Sequence, residues 1–383
     1  MKPKPDRKCV MIIAGEASGD QHGAHLVKAL QARDPDIFFC GIGGRALKEA
    51  GVRIIVDAAS LSVVGITEVV SKGVSIWRGI SLAKQLLKSL KPDLLILIDF
   101  PDFNLHIAAR AKKLGVPVLY YVSPQLWAWR SGRIKKIKKR VDHMAVILPF
   151  ELDFYNEHDV PATYVGHPLL DGHIPEEAPG GPGHGLDSQT RIGLLPGSRD
   201  KEIIRNLPAM LVAAETIQRE SDCNEFVISQ APSVKKDLID TIIADHGGSV
   251  NCRVTTDHVG TVFRACRLVI AVSGTVTLEA ALWGTPTVIM YRVSPVSYWL
   301  GRFLVRVDHM GLVNLILGRR VVPELVQHEA SPENIARIVL DLLANEENLE
   351  EIRSGLAEAK AILGQAGASH KVAEIAAGLL EYD

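Results

Sequence analysis

Short, continuous apolar runs alternate along this chain with stretches whose apolar positions recur every three or four residues. Residues 10–14, 37–41, 94–98 and 116–122 have the unbroken apolar character of strands covered on both faces, and 94–98 (LLILI) is the most uniform of them. Residues 23–33, with Leu26, Ala29 and Leu30 on one face, and residues 76–90 carry the helical period. Between 171 and 190 the composition changes: HIPEEAPGGPGHGLDSQT, with Pro175, Pro179 and Pro182, packs as neither helix nor strand and predicts an interdomain linker. The same alternation then resumes, with strands predicted at 192–195, 225–229, 268–272 and 287–291. From 332 to 380 the pattern is helical, broken near Gly364 and Gly367. Strands alternating with helices predict parallel sheets covered on both faces, here in two similar α/β domains.

The chain has 383 residues, 47% hydrophobic and 23% charged, enough for two domains at roughly 150 residues each. Disordered and disulfide-scaffold classes are excluded. Lys and Arg number 43 against 44 Asp and Glu, which argues against a dedicated nucleic-acid binder but not against a local basic patch. The five cysteines are scattered and form no C-x-x-C pair. The apolar run after the basic N-terminus, residues 9–14, is too short for a signal peptide or a bilayer span, so a soluble protein of a reducing cytoplasm is expected.

Candidate chemistry lies at strand ends. The loop after the first strand holds Gly15, Glu16, Ser18, Gly19 and Asp20 and opens a helix, where glycines admit a ligand to backbone N–H groups. It is neither G-x-G-x-x-G nor G-x-S-x-G, and a tight turn with Ser18 or Asp20 as N-cap is an equal alternative. The strand 94–98 delivers Asp99 to the edge where open α/β sheets bind ligands, and partial burial would raise its pKa toward that of a general base. Asp102 or Asn104 is expected to cap the following helix. Trp127, Trp129 and Arg130 suit a sugar, an acyl chain or a membrane interface, with an aromatic cluster at a domain edge as the alternative.

Seven of the eleven residues from 130 to 140 are basic: Arg130, Arg133, Lys135, Lys136, Lys138, Lys139 and Arg140. With Ile134, Ile137 and Val141 on one face, this predicts a basic amphipathic helix for an anionic lipid surface or a polyphosphate partner, with a merely solvated face as the alternative. Residues 298–307, with Trp299 and Phe303 between Arg302 and Arg306, suit the same surface or the core.

In the second domain Gly197, Ser198 and Arg199 follow a strand, and the Arg supplies a fixed fork for phosphate oxygens. Ser273, Gly274 and Thr275 open a helix after another strand and predict a diphosphate cradle. Glu279, in an otherwise apolar helix, suits a ligand, accepting from ribose hydroxyls, better than the alternative of an ordinary helix acid. His22, His25, His167 and His173 fall on separate loops or turns without metal-ligand spacing, so no metal is expected.

The blocks AGEASGD-x-HGA, VVGITEVV, KPDLLILIDFPDFNL, YYVSPQLWAWR, VGHPLLD, LLPGSR-x-x-E, SGTVTLEAAL and VPELVQ, in this order from about residue 12 to 327, together resemble the lipid-A-disaccharide synthase family. The resemblance implies a GT-B glycosyltransferase: α/β, two Rossmann-like domains with parallel sheets facing a central cleft. It implies an N-terminal acceptor- and lipid-binding domain at 1–172, a linker at 173–190 and a UDP-sugar-binding domain at 191–345. Helices at 346–383 would pack back on the first domain. The implied reaction moves 2,3-diacylglucosamine from UDP-2,3-diacylglucosamine to 2,3-diacylglucosamine 1-phosphate. Asp99 matches the family's proposed base. Gly197, Ser198, Arg199, Ser273, Gly274, Thr275, Glu279 and Asn314 match its UDP-sugar side. Glu16, Ser18, Gly19, Asp20, Trp127, Trp129 and Arg130 would serve the acceptor and lipid side. Asn314 lies in a segment that usually reads P-N-L-L, where this chain has Val313 for the proline.

No cofactor is implied, because the UDP-sugar is a substrate. Nor is nucleic acid, and a homodimer is left open. The implied location is the cytoplasmic face of the inner membrane, held peripherally at its anionic surface. The competing expectations are another GT-B enzyme of UDP-sugars, such as a peptidoglycan-type glycosyltransferase or an epimerase, and a non-catalytic nucleotide-sugar binder.

Overall fold

The computed structural model describes residues 7–58, 69–127, 131–172, 190–293 and 309–381, with the backbone alone described at 69–76 and 131. The chain divides into two units, Met1–His173 with Leu363–Asp383, and Ile174–Ile362.

The first unit is built on seven strands: β1 (Cys9–Ala14), β2 (Phe38–Gly43), β3 (Arg53–Asp57), β4 (Leu94–Ile98), β5 (Val118–Tyr121), β6 (His143–Val146) and β7 (Ala162–Tyr164). All pairs are parallel, in the order β3-β2-β1-β4-β5-β6-β7. The central strands are apolar throughout because each face meets a separate core. Met11, Ile13, Leu95, Leu97 and Tyr120 pack on one side with Phe103, Ile107 and Ala108 of the helix Pro101–Lys113. Ile12, Ala14, Ile96, Ile98 and Tyr121 pack on the other with Leu26 and Leu30 of the helix Ala17–Arg33 and Val372, Ala373 and Ala376 of the helix Ala368–Glu381.

The second unit repeats the plan with β8 (Arg191–Leu195), β9 (Glu225–Ser229), β10 (Cys252–Thr255), β11 (Leu268–Val272), β12 (Thr287–Tyr291) and β13 (Glu324–Val326), all parallel, in the order β10-β9-β8-β11-β12-β13. In each sheet the strand order reverses once, between β1 and β4 and between β8 and β11. That reversal opens a crevice at the carboxyl ends of the strands, where open α/β sheets bind ligands.

The return of the chain to the first unit is later than expected at 346. The helix Glu346–Leu363 buries Leu349, Ile352, Leu356 and Ala359, and its Glu346 and Glu358 pair with Arg267 and Arg319 of the second unit. The crossing comes at the break predicted from the glycines, with Gly364 at φ +82° and Gly367 at φ +121°. There the Asp171 carboxylate accepts from the N–H groups of Gly367, Ala368 and Ser369 at 2.7, 3.0 and 2.7 Å and fixes the start of the final helix. Nearly all of the linker predicted at 173–190, and the segment 298–307, lie outside the described residues.

Candidate functional site

β1 ends at Ala14, and Gly15 leads into the helix Ala17–Arg33, whose N-cap position is Glu16. Gly15 is required by close approach: a Cβ there would lie 2.4 Å from Cδ1 of Phe100. Glu16 and Ser18 are exposed, whereas Gly19 and Asp20 are buried. Neither Ser18 nor Asp20 is the N-cap. Asp20 instead accepts from the N–H groups of Gly44, Ala46 and Leu47 at 2.6, 2.8 and 3.4 Å, capping the helix Arg45–Glu49. The carboxylate of Asp20 is thus engaged by backbone donors of the turn that follows β2.

Next to this loop, β4 delivers Asp99 and Phe100, both in the left-handed region at φ +47° and +49°. Two such residues in succession cost roughly 1–2 kcal/mol each, so the turn must be held. Buried Asn104 donates through Nδ2 to the carbonyl oxygens of Ile98 (3.2 Å) and Asp99 (2.6 Å), and the Tyr120 hydroxyl donates to the Asp99 carbonyl at 2.6 Å. Pro101, at the first helical turn, starts the next helix with its φ already set. Neither Asp102 nor Asn104 is that helix's N-cap, which is Phe100, and Asp102 pairs with Arg133. The half-buried Asp99 carboxyl is pushed up to about 6, first by burial and then by the charge of Glu16, against a hydrogen bond from Phe100 N–H.

Trp127 is half-buried, donating through Nε1 to Glu151 Oε1 at 3.2 Å and meeting the Phe150 ring edge-on at 4.9 Å. Glu151 also accepts from the N–H groups of Leu148 and Ile147, and burial still pushes its carboxyl up to about 7. Trp129 and Arg130 lie outside the described residues. In the basic stretch Ile134 and Ile137 are buried, while Lys135, Lys136, Lys138 and Lys139 are exposed. Two of the expected surface cations face inward: Arg133 pairs with Asp102, and Arg140 donates to the Leu105 carbonyl at 3.0 Å.

The histidines are less scattered than expected. His22 and His25 share one helix, and burial pushes His22 down to about 4, helped by His25. Burial and then His22 push His167 down to about 3, so both rings are neutral at pH 7. Among the described residues no group of three or more His, Cys, Asp or Glu could hold a metal ion.

In the second unit Gly197, at φ +125°, lets the loop after β8 fold onto Glu202, whose Cβ would be 2.6 Å from a Cβ at that position. Glu202 accepts from Ser198 N–H at 2.9 Å and pairs with exposed Arg199 at 3.3 Å. After β11 the Ser273 hydroxyl donates to the Met310 carbonyl at 2.9 Å, and exposed Gly274 and Thr275 open the helix Thr275–Trp283. One turn on, Glu279 is half-buried, and burial alone pushes it up to about 7.

Asn314 is 0% exposed and fully engaged with protein. Its Oδ1 accepts from the N–H groups of Val321 and Val322 at 2.7 and 2.9 Å, and its Nδ2 donates to the Val322 carbonyl (2.9 Å) and Glu324 Oε1 (2.6 Å). Each of its side-chain donors and acceptors is thus taken up by the protein itself. Glu202, Glu324, Glu151 and the clamp made by Asn104 and Tyr120 were not singled out as functional from sequence. The signal was present for all but Glu151, since Asn104, Tyr120, Glu202 and Glu324 fall inside the blocks KPDLLILIDFPDFNL, YYVSPQLWAWR, LLPGSR-x-x-E and VPELVQ.

A family model described as Lipid-A-disaccharide synthetase matches residues 10–377. A lipid-A-disaccharide synthase of Geobacter metallireducens is 45% identical over 378 residues, covering 97% of each chain. One of Trichlorobacter lovleyi is 46% identical over 379 residues, covering 98% of each. Among solved structures, a putative UDP-N-acetylglucosamine 2-epimerase from Listeria monocytogenes matches with a TM-score of 0.66 at 13% identity, covering 98% of this chain and 97% of that one. MurG of Acinetobacter baumannii matches at 0.57 and 13%, covering 96% and 98%. At such identity the likeness concerns the fold alone, two parallel-sheet α/β domains of the GT-B kind. With near-complete coverage at more than two-fifths identity, the chain belongs to the lipid-A-disaccharide synthase family, glycosyltransferases of lipid A biosynthesis.

Proposed function

We propose that the chain joins UDP-2,3-diacylglucosamine to the 6-hydroxyl of 2,3-diacylglucosamine 1-phosphate, giving the β(1→6) disaccharide 1-phosphate and UDP. The observation that carries this beyond family membership is Asp99, a half-buried carboxyl at the strand-order reversal with a pKa near 6. Above that pH it is ionised yet basic enough to accept a hydroxyl proton as the acceptor oxygen attacks. The new bond forms at the anomeric carbon on the face opposite the diphosphate. The old C–O bond breaks with its electron pair going to UDP, and an α-linked donor becomes a β product.

The leaving diphosphate gains negative charge. Arg199 and the N-terminus of the helix Thr275–Trp283, with Gly197, Ser198, Ser273 and Gly274 beside them, offer a cation and backbone dipoles to it. Glu279, a half-buried carboxyl that no described side chain pairs, is suited to accept from ribose hydroxyls. Glu16, Ser18, Gly19 and Trp127 are assigned to the acceptor side. Because Glu202 already accepts from Ser198 N–H, donor phosphates reaching that N–H must displace its carboxylate.

The acylated substrates call for a membrane surface. Among the described residues no helix is long and apolar enough to cross a membrane. The exposed Lys135, Lys136, Lys138 and Lys139 support peripheral attachment to the anionic cytoplasmic leaflet instead.

The test is a detergent-solubilised assay with both lipid substrates and a chelator, following UDP and disaccharide by mass. Disaccharide from the wild type, and none from a folded Asp99→Asn variant that still binds UDP, is the expected result. Full transfer by that variant overturns the base assignment. UDP release without disaccharide points to another acceptor.

A further inference from the structure

The block V-P-E-L-V-Q at residues 322–327 takes no part in the chemistry above, yet both of its polar side chains are bonded to the chain itself. Glu324, 9% exposed at the start of β13, accepts from Met310 N–H through Oε2 at 2.8 Å. Its Oε1 accepts from Gly311 N–H at 3.0 Å and from Asn314 Nδ2 at 2.6 Å. Gln327 exchanges two bonds with the backbone of Val293, at 3.0 and 3.3 Å. Gly311 is packed so closely that a Cβ would lie 2.4 Å from Cδ1 of Ile289 on β12. The turn from 310 to 314 is thus pinned to the sheet by one carboxylate.

That turn touches the donor loop. The Met310 carbonyl accepts the Ser273 hydroxyl at 2.9 Å, and Ser273 immediately precedes the helix that carries Glu279. Fixing Met310 from its N–H side therefore fixes the acceptor that orients Ser273. We propose that Glu324 is a positioning residue of the nucleotide-binding site. Paired with Asn314, it holds the turn that sets Ser273 and the first turn of the helix Thr275–Trp283. Asn314 then acts through this pair and not by touching ligand, and Val313 serves where proline is usual because rigidity comes from the carboxylate. The inference rests on the assignment of that helix to the UDP side.

UDP binding by calorimetry, and steady-state kinetics with each lipid substrate varied in turn, test it on the full chain. In Glu324→Gln the amide opposes backbone donors and removes a charge-assisted acceptor, so UDP Kd and donor KM should each rise about tenfold while acceptor KM holds. Simple loss of folded protein would lower kcat and leave both KM values alone. Glu324→Asp, which keeps the charge and shortens the reach, carries the same outcomes if Glu324→Gln does not fold. A folded variant with wild-type UDP Kd and donor KM overturns the positioning. A wild-type chain that binds no UDP overturns the donor-side assignment on which it rests.

Discussion

Replacing Asp99 by Asn should abolish transfer and, at the same time, stabilise the protein in a manner that depends on pH. Burial and Glu16 lift the Asp99 carboxyl from 3.8 to about 6. That is about 2 units, or about 3 kcal/mol at about 1.4 kcal/mol per unit. The folded-state pKa is raised, so the charged form is the one that folding disfavours. Relative to the charged unfolded chain, the stabilising effect is complete below pH 3.8 and is lost as pH rises through about 6. Above pH 6 the wild type therefore holds an ionised group in a site that resists it, and Asp99→Asn does not. The expected gain at pH 8 is about 1–3 kcal/mol, with the upper end a bound set by the full shift. At φ +47° Asn also fits the left-handed turn better than most residues, but that contribution is the same at every pH. Thermal unfolding of both proteins at pH 5 and pH 8 separates the two, since only the electrostatic part grows between them. A melting-temperature difference equal at both pH values would refute the assignment of Asp99 as a strained, desolvated base.

Glu16→Gln removes the neighbouring charge, so the acid limb of the pH–rate profile should move below about 6, by less than about one unit because Glu16 is exposed and screened. An unmoved limb would show that burial alone sets the shift. UDP affinity of the wild type should rise with pH through about 7 as Glu279 ionises, and Glu279→Gln should bind more weakly with no such rise; titration calorimetry from pH 6 to 8 reads both. Substituting Lys135, Lys136, Lys138 and Lys139 by Ala should weaken binding to anionic vesicles by about 1 kcal/mol per lysine. Binding that survives the substitution and ignores salt would remove these side chains from the membrane surface.

The parts of the fold that were legible in sequence are those where burial writes the pattern. Residues 94–98 read as a strand because two cores cover both faces of β4, leaving no polar position. β3 escaped for the opposite reason: it is an edge strand with Arg53 and Asp57 exposed at its ends, and the apolar run between them is three residues long with Ile55 exposed. β7 and β13, three residues each, are too short to show any period. The first helix starts at 17, ahead of the 23 that the pattern predicts, because Gly19 and Gly23 carry no helical signal in sequence. They are helical glycines, and Gly23 packs tightly: a Cβ there would lie 3.0 Å from Ile98 Cδ1 and Leu47 Cδ2. Asp99 was legible as a position, since any residue following a buried parallel strand emerges at the ligand edge. The left-handed turn that aims it was not, because Asn104 and Tyr120 hold it from 5 and 21 positions away.

A motif full of acids does not say which of them are free to act, and here the difference lies in what each oxygen meets. Asp20, Asp171, Glu151, Glu202 and Glu324 all accept from backbone N–H groups at loop or helix starts, where a carboxylate neutralises donors that the helix cannot satisfy. Such acids carry structure, and a substitution there moves backbone. Asp99 and Glu279 differ: burial raises both with little or no donor to compensate, for among the described residues Asp99 has only Phe100 N–H and Glu279 no hydrogen bond to lower it. A half-buried carboxyl without a full set of protein donors is costly in the empty site, and a substrate hydroxyl relieves that cost. Asn314 follows the same logic from the other side. Its position in the motif suggests a ligand, but four hydrogen bonds to its own chain leave it nothing to offer one, so its contribution passes through Glu324 to the turn at Met310.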